Sequence, residues 1–194
     1  MKSVISKLLV VAAALTLPLA VSAQEGSTVP FQFSVFDANV PEAENVKGVH
    51  LSLLYGKTGD VTGWDFPLLA YSDTNDMKGL SFTPFLFSAS NIRGEMTGVT
   101  FGLFTNQEGQ STGLNLNALN LTSNVKGLNW AVANIGSGYT MADVGLFNLS
   151  EKSNFQLAAV NVTDELDGLQ LGLINCAKNG FLPCFILFNF GTSD

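Results

Sequence analysis

Charge is scarce in this chain. Asp, Glu, Lys and Arg make up 13% of the 194 residues, histidine occurs once, cysteine twice and proline six times. Each shortage closes a class of chemistry. There is no His/Cys cluster at zinc-ligand spacing, no glycine loop opening a helix to cradle phosphate, and no Gly-x-Ser-x-Gly elbow between a strand and a helix. The glycine and aspartate spacing of calcium-binding nonapeptides is absent, and so are the regular threonine rows that bind ice, since Thr83 and Thr100 are sporadic. Beyond residue 23 no apolar run is long enough for a membrane-crossing helix. We therefore expect no catalytic, cofactor-binding or metal-ligating residues, and no enzyme.

Residues 1–23 carry Lys2 and Lys7, the apolar run Leu8 to Ala20, and Val21-Ser22-Ala23 before Gln24. That is the layout of a secretory signal peptide with a small-x-small cleavage site. Because Gln24 rather than cysteine follows that site, a lipoprotein anchor is not expected. The mature chain, 24–194, is expected to be a single domain with seven basic and sixteen acidic residues, a net charge of −9. Such acidity argues against nucleic acid or an anionic lipid surface as partner. Charge also gathers in turns, as in Asp73 to Lys78 and Glu151-Lys152.

What the chain has in abundance is repetition. Asn120, Asn134, Asn148, Asn161, Asn175 and Asn189 fall 14, 14, 13, 14 and 14 residues apart, each closing a run of alternating apolar residues. Number each repeat so that its glycine is position 3 and the Asn position 10, as in Leu166 to Asn175. Glycine then recurs at Gly48, Gly63, Gly79, Gly98, Gly113, Gly127 and Gly168, with Asn154 replacing it once. Gly and Asn tolerate a left-handed backbone, which predicts a recurring corner or bulge.

Apolar columns run through position 4 (Val49, Trp64, Leu80, Val99, Leu114, Leu128), position 6 (Leu51, Phe66, Phe82, Phe101, Leu116, Trp130) and position 8 (Leu53, Leu68, Leu103, Val132, Leu146, Leu173). Position 5 is polar in nearly every copy: His50, Asp65, Ser81, Thr100, Asn115, Asn129, Asp143, Gln156 and Gln170, then Cys184. Position 7 is small. Period two over five residues predicts a strand with one buried face, and the expectation is that positions 4, 6 and 8 are that face. Position 9, also apolar, forms a second stripe to bury. Positions 5 and 7 then face solvent, His50 is a surface residue, and acids such as Asp65 and Asp143 sit at solvent positions. The asparagines are expected to form a hydrogen-bonded amide ladder along the stack, the alternative being a row of exposed amides for a ligand.

The array should have atypical members at its ends: a capping strand over 29–37, repeats over 46–179, and a C-terminal capping strand over 180–190. Pro30 and Pro183 would blunt exposed strand edges. For Cys176 and Cys184 two readings stay open, a disulfide stapling the last repeat to its neighbour, or two small apolar fillers.

The stretches Val125-Lys-Gly-Leu128, Gly168-Leu-Gln-Leu-Gly-Leu-Ile-Asn175 and Gly180-Phe-Leu-Pro-Cys-Phe-Ile-Leu-Phe-Asn-Phe190 resemble the uncharacterised bacterial surface-repeat proteins. These are short exported chains built from Gly-Leu-x-x-Gly-Leu-x-Asn units. The likeness covers roughly residues 46–190. Met141 at the glycine position, and Tyr55, Ala70, Leu86 and Thr105 in place of Asn, depart from it. What the resemblance implies is an exported or envelope location (periplasm, cell surface or outer membrane) and no assigned activity.

Two all-β architectures compete. In a β-solenoid each repeat is one coil, and ten or eleven coils make a rod about 50 Å long. In a small antiparallel outer-membrane β-barrel each repeat is one strand, and the first and last strands pair. The solenoid is favoured for three reasons. The Gly-to-Asn signature recurs every strand rather than every second one, the alternating segment is short for a membrane strand, and the turns are uniformly short. The expected role is a non-enzymatic exported surface protein with a structural or interaction role, its partner an envelope protein or a polysaccharide, met through positions 5 and 7. Membrane contact is expected only of the barrel, as a pore or anchor. A solenoid enzyme acting on polysaccharide through Asp65 or Asp143 is a third reading.

Overall fold

Alternation over positions 4 to 8 commits each repeat to an extended strand, and the glycine at position 3 lets the next repeat lie directly on it. In the computed structural model, which describes residues 26–36, 38–69, 71–84 and 88–192, Gly48, Gly63, Gly79, Gly98, Gly113 and Gly127 have φ between +135° and +156°. They also stack. A Cβ on Gly63 would lie 2.1 Å from the Gly48 carbonyl oxygen, and one on Gly79 2.0 Å from that of Gly63. A side chain at these positive-φ glycines would thus push successive coils apart. The signal peptide expected over 1–23 lies outside the described residues.

The strands are β1 (Thr28–Val35), β2 (Ala38–Val40), β3 (Asn45–Ser52), β4 (Tyr55–Lys57), β5 (Val61–Pro67), β6 (Tyr71–Thr74), β7 (Met77–Thr83), β8 (Ala89–Ile92), β9 (Met96–Trp130), β10 (Ala133–Val144), β11 (Phe147–Leu157), β12 (Val160–Ala177) and β13 (Cys184–Phe190). The chain winds as a parallel β-solenoid of about nine turns. Each turn has two sides. Positions 1 to 7 build the first sheet, in which Val49 lies beside Trp64, Trp64 beside Leu80 and Leu80 beside Val99. Positions 9 to 12 build the second, in which Asn120, Asn134, Asn148 and Asn161 lie side by side. At the two ends the chain folds back: β2 pairs antiparallel with β1, and β13 antiparallel with β12.

This overturns the barrel alternative. Neighbouring coils are parallel, and β13 lies beside β12 at one end while β1 sits between β3 and β2 at the other, so the sheet does not close on itself. With β13 turned back as a lid, the turns number about nine rather than ten or eleven.

The expected inside and outside are also exchanged. Among the described residues, twelve apolar side chains are buried against thirty-three polar ones, while twenty-four large apolar side chains are exposed. Position 5 faces the interior, and His50, Asp65, Ser81, Thr100, Asn115, Asn129, Asp143, Gln156 and Gln170 are all buried. The columns at 4, 6, 8 and 9 point outward, half-buried by their neighbours or fully exposed. The physical reason lies in the space available. Two sheets facing each other leave a slot about 10 Å wide, which Ser, Thr, Asn and Gln fill and rows of Trp and Phe do not. In-register stacking brings like over like, so a buried amide finds its partner in the next coil and its desolvation is offset. The inward apolar residues are mainly at position 1, where Val46, Val61, Met77, Met96, Val125 and Leu166 line one corner.

Candidate functional surface

The six asparagines stand in the interior, none of them exposed. Asn120 Nδ2 donates to Asn134 Oδ1 (2.9 Å), Asn134 to Asn148 (2.9 Å), Asn148 to Asn161 (2.9 Å) and Asn161 to Asn175 (2.8 Å). Asn189, in the antiparallel lid, donates to the Asn175 carbonyl instead. No ligand can reach this row of amides from outside.

A second row runs through position 5. Asn115 Nδ2 donates to Asn129 Oδ1 (2.7 Å), and Asn129 Nδ2 to Asp143 Oδ1 (2.8 Å). From the other end Gln170 Nε2 donates to Gln156 Oε1 (2.8 Å), and Gln156 Nε2 points toward Asp143 Oδ2 (3.5 Å). Two donor chains of opposite direction meet at Asp143, where an acceptor-only carboxylate fits both. Thr140 Oγ1 donates to the same group (2.6 Å). Burial nonetheless pushes the Asp143 carboxyl above its ordinary range, against the downward pull of the Thr140, Asn129 and Gln156 hydrogen bonds.

In the first coils the same column sets His50 beside Asp65, and Ser34 reaches His50 from the register of Ser52. Ser34 Oγ lies 2.8 Å from His50 Nε2, and His50 Nδ1 2.8 Å from Asp65 Oδ1. Those are the contacts of a nucleophile, base and orienting acid. Yet all three residues have no exposed surface. Ser34 Oγ also donates to Asn39 Oδ1 (2.6 Å), and Asp65 accepts from Ser72 (2.9 Å) and Ser81 (3.4 Å). No substrate can approach the hydroxyl, so the cluster holds three coils together rather than attacking anything. His50 is not a surface residue, and neither Asp65 nor Asp143 is at a solvent position. Cys176 and Cys184 are bonded to each other and tie β12 to β13.

The surface that remains available is the outside. Trp64, Phe66, Phe82 and Phe101 touch in succession along the first sheet, with ring centroids 5.7, 5.9 and 5.4 Å apart. Farther along, Leu114, Trp130 and Leu157 continue this face, Val132, Leu146 and Leu173 form the corner, and Phe147, Ile174, Ile135 and Leu149 cover the second sheet. Trp130 is 59% exposed and Leu173 68%. A groove of about 490 Å³ runs between the position 6 and position 8 columns, floored by Gly102, Asn117, Ala131 and Gly145 and walled by Trp130 and Leu146.

In the later coils charge other than Asp143 is confined to the opposite corner, where the second sheet turns back into the first. Between Gly113 and Ala177 the charged side chains other than Asp143 are Lys126, Glu151, Lys152, Asp164, Glu165 and Asp167. Lys152 Nζ bridges Glu165 (2.7 Å) and Asp167 (3.1 Å) across coils, and these hydrogen bonds hold its amine above the ordinary range. Lys178 pairs with Asp164 (2.7 Å).

The expected binding face, positions 5 and 7, is therefore not a surface, and the alternation alone did not distinguish the two faces. A signal was present all the same. Position 5 contains no Lys, Arg or Glu in any copy, whereas a solvated strand face ordinarily carries them. Compared with protein-family models, curated proteins and solved structures, the chain matches none.

Proposed function

We propose that this chain is a non-enzymatic, exported scaffold of the bacterial cell envelope or surface that engages its partner through the apolar outside of the solenoid. The observation that supports this most is the separation of the two kinds of residue. Ser34, His50 and Asp65, which have the contacts of a nucleophile, base and acid, and the carboxyl of Asp143 are sealed inside, while Trp130, Leu146 and Leu173 are offered to the outside. Apolar surface of this extent on a monomer marks an interaction site. The polysaccharide-enzyme reading loses its support, since both of its acids are enclosed. The composition of residues 1–23 and the likeness to surface-repeat chains support export.

The test is fractionation of bacterial cells expressing the full chain, alongside the double variant Leu146→Glu/Leu173→Glu. Wild type is expected in the envelope fraction with Gln24 as its first residue. The double variant, still cleaved and still β-rich, is expected in the soluble exported fraction. An uncleaved cytoplasmic protein, or a variant retained as firmly as wild type, would refute the proposal.

A further inference from the structure

We infer that the partner of the apolar outside is the hydrocarbon of a zwitterionic lipid layer, into which the C-terminal half of the solenoid sinks corner-first with its axis parallel to the membrane plane. The inference rests on the interaction role proposed above and names its partner.

The distribution of side chains favours lipid over a second protein. From Gly113 onward the apolar surface wraps both sheets and the corner between them, and continues over the C-terminal lid through Phe181, Ile186, Leu187 and Phe188. A second copy seated on one sheet would leave the other sheet, the corner and the lid in water. Hydrocarbon covers all of them at once. The charged corner fixes the orientation: Lys126, Lys152 with Glu165, and Lys178 with Asp164 run the length of this half. An axis normal to the membrane would drag that ridge through the apolar core, at several kcal/mol per unpaired charge. Lying in the plane keeps every one of them in water.

The dimensions agree. Positions 4 to 8 span four residue steps, about 13 Å at roughly 3.3 Å each, close to the ~15 Å hydrocarbon depth of one leaflet. Hydrocarbon also tolerates no unpaired backbone group, and the solenoid satisfies this sideways, because each coil's amides bond to the coils on either side. Among the described residues, strand edges lie at the two ends. The groove between Trp130 and Leu146, with its floor of small residues, is open to the outside and suits an acyl chain laid along the axis. Membrane contact was expected of a barrel alone, and the outward apolar columns remove that condition. The chain's sixteen acidic against nine basic residues disfavour anionic headgroups, which is why the lipid is zwitterionic.

The experiment uses the full chain carrying Trp64→Phe, which leaves Trp130 as the only tryptophan. It is mixed with phosphatidylcholine vesicles with and without bromine on the acyl chains. The expected result is flotation with the vesicles, a blue shift of Trp130 emission, and quenching by the brominated lipid. Adding Leu146→Glu/Leu173→Glu should abolish flotation and quenching while the far-ultraviolet spectrum is unchanged. Because Trp130 reports from the solenoid, attachment through residues 1–23 alone would leave it unquenched, and that outcome overturns the inference. So does a chain that stays out of the floated fraction. Sedimentation of the same two proteins without lipid separates the two levels. If wild type self-associates, the double variant is monomeric and neither is quenched, the lipid inference falls while the interaction role stands. If the envelope fractionation fails as well, both fall.

Discussion

The two halves of the solenoid fill the same narrow interior with different polar groups. From β1 to β8 the interior holds mainly hydroxyls, Ser34, Ser72, Ser81 and Ser90 among them, with the imidazole of His50, the carboxylate of Asp65 and the amide of Gln32. From Asn115 onward it holds mainly amides. A serine has one proton and a short reach, so each contact is a local arrangement such as Ser81 to Ser90 at 3.0 Å. An amide donates and accepts at once, so one arrangement can repeat through any number of coils. The outsides differ too. Near β4, β6 and β8 the second sheet carries a polar column, in which Asn106 bonds Asn91, Asn91 bonds Asp73, and Asp73 pairs with Arg93. The same place in the later coils holds Leu121, Ile135, Leu149 and Val162. Repeat length follows the filling. The glycines Gly48, Gly63, Gly79, Gly98 and Gly113 are 15, 16, 19 and 15 residues apart, while the asparagines keep to 13 or 14. A ladder of identical amides tolerates little variation in coil length, and discrete hydroxyl clusters tolerate more.

The contrast is broken most severely by cutting the ladder. Asn148 accepts from Asn134, and donates to Asn161 Oδ1 and to the Asp143 carbonyl (3.0 Å). Asn148→Leu leaves several of these buried groups unpaired at about 1–3 kcal/mol each, so we expect roughly 3–5 kcal/mol of destabilisation. Ser72→Ala removes one donor from Asp65, which keeps His50 and Ser81, and should cost about 1 kcal/mol. Urea unfolding of the two variants measures both. Equal losses would mean that the amide ladder is not what distinguishes the halves.

The two buried acids offer a smaller and pH-dependent comparison. Asp143 meets only amides and hydroxyls, and burial raises its pKa. In the unfolded chain it ionises in the ordinary carboxylate range, so between that range and its raised folded value the native state binds the extra proton. The stability contributed by this group is therefore full at acidic pH and is lost as pH rises through that window. Asp143→Asn should make the protein more stable than wild type at pH 7, the Thr140 hydroxyl turning toward Ser153 Oγ 3.3 Å away and Gln156 Nε2 keeping Ser150 Oγ at 3.1 Å. The advantage should fade on acidification below the ordinary carboxylate range. Asp65 lies 2.8 Å from His50 Nδ1 and also takes the Ser72 and Ser81 hydroxyls, contacts that an amide only partly replaces, so Asp65→Asn should bring no such gain. Thermal melts at pH 4 and pH 7 decide it, and a gain at both sites would remove this distinction.

These differences explain what was legible beforehand. The 14-residue period, the glycine column and the polarity of each strand, Gly at one end and Asn at the other, pointed to stacked parallel coils, because those features depend on spacing and local backbone preference. Which face lies inside does not depend on spacing. Alternation such as Leu169-Gln170-Leu171 is equally consistent with leucines in or out, and the usual preference for apolar interiors settled it the wrong way. The stack inverts that preference because an in-register column supplies a partner for every buried amide, a long-range property visible only once Gln156, Gln170 and Asp143 are known to be neighbours. The Ser34, His50 and Asp65 cluster was hidden for a related reason. Its members lie 16 and 15 residues apart, and nothing but the coil length brings them together.

The mildest prediction concerns the boundary between the two fillings. Ser72, Ser90 and Thr105 precede Asn120 in the inward column of the second sheet, and Gly98 stacks on Gly113 in the matching coils. At this junction the side-chain oxygens of Thr105, Gln107 and Thr122 find no partner. Thr105→Asn would place an amide one coil before the existing ladder, with its nitrogen directed at Asn120 Oδ1. That oxygen already accepts from Asn117 (2.7 Å) but has a second lone pair free. One added buried hydrogen bond is worth about 1 kcal/mol, or a rise of roughly 2–4 °C in Tm for a domain of this size. The same change one coil earlier, Ser90→Asn, removes the bond between Ser81 and Ser90 without reaching the ladder, and should lower Tm. A ladder that extends by one coil at Thr105 but not at Ser90 would place the boundary in the side chains. If both variants lose stability equally, the irregular coil lengths of the N-terminal half set the boundary through the backbone instead.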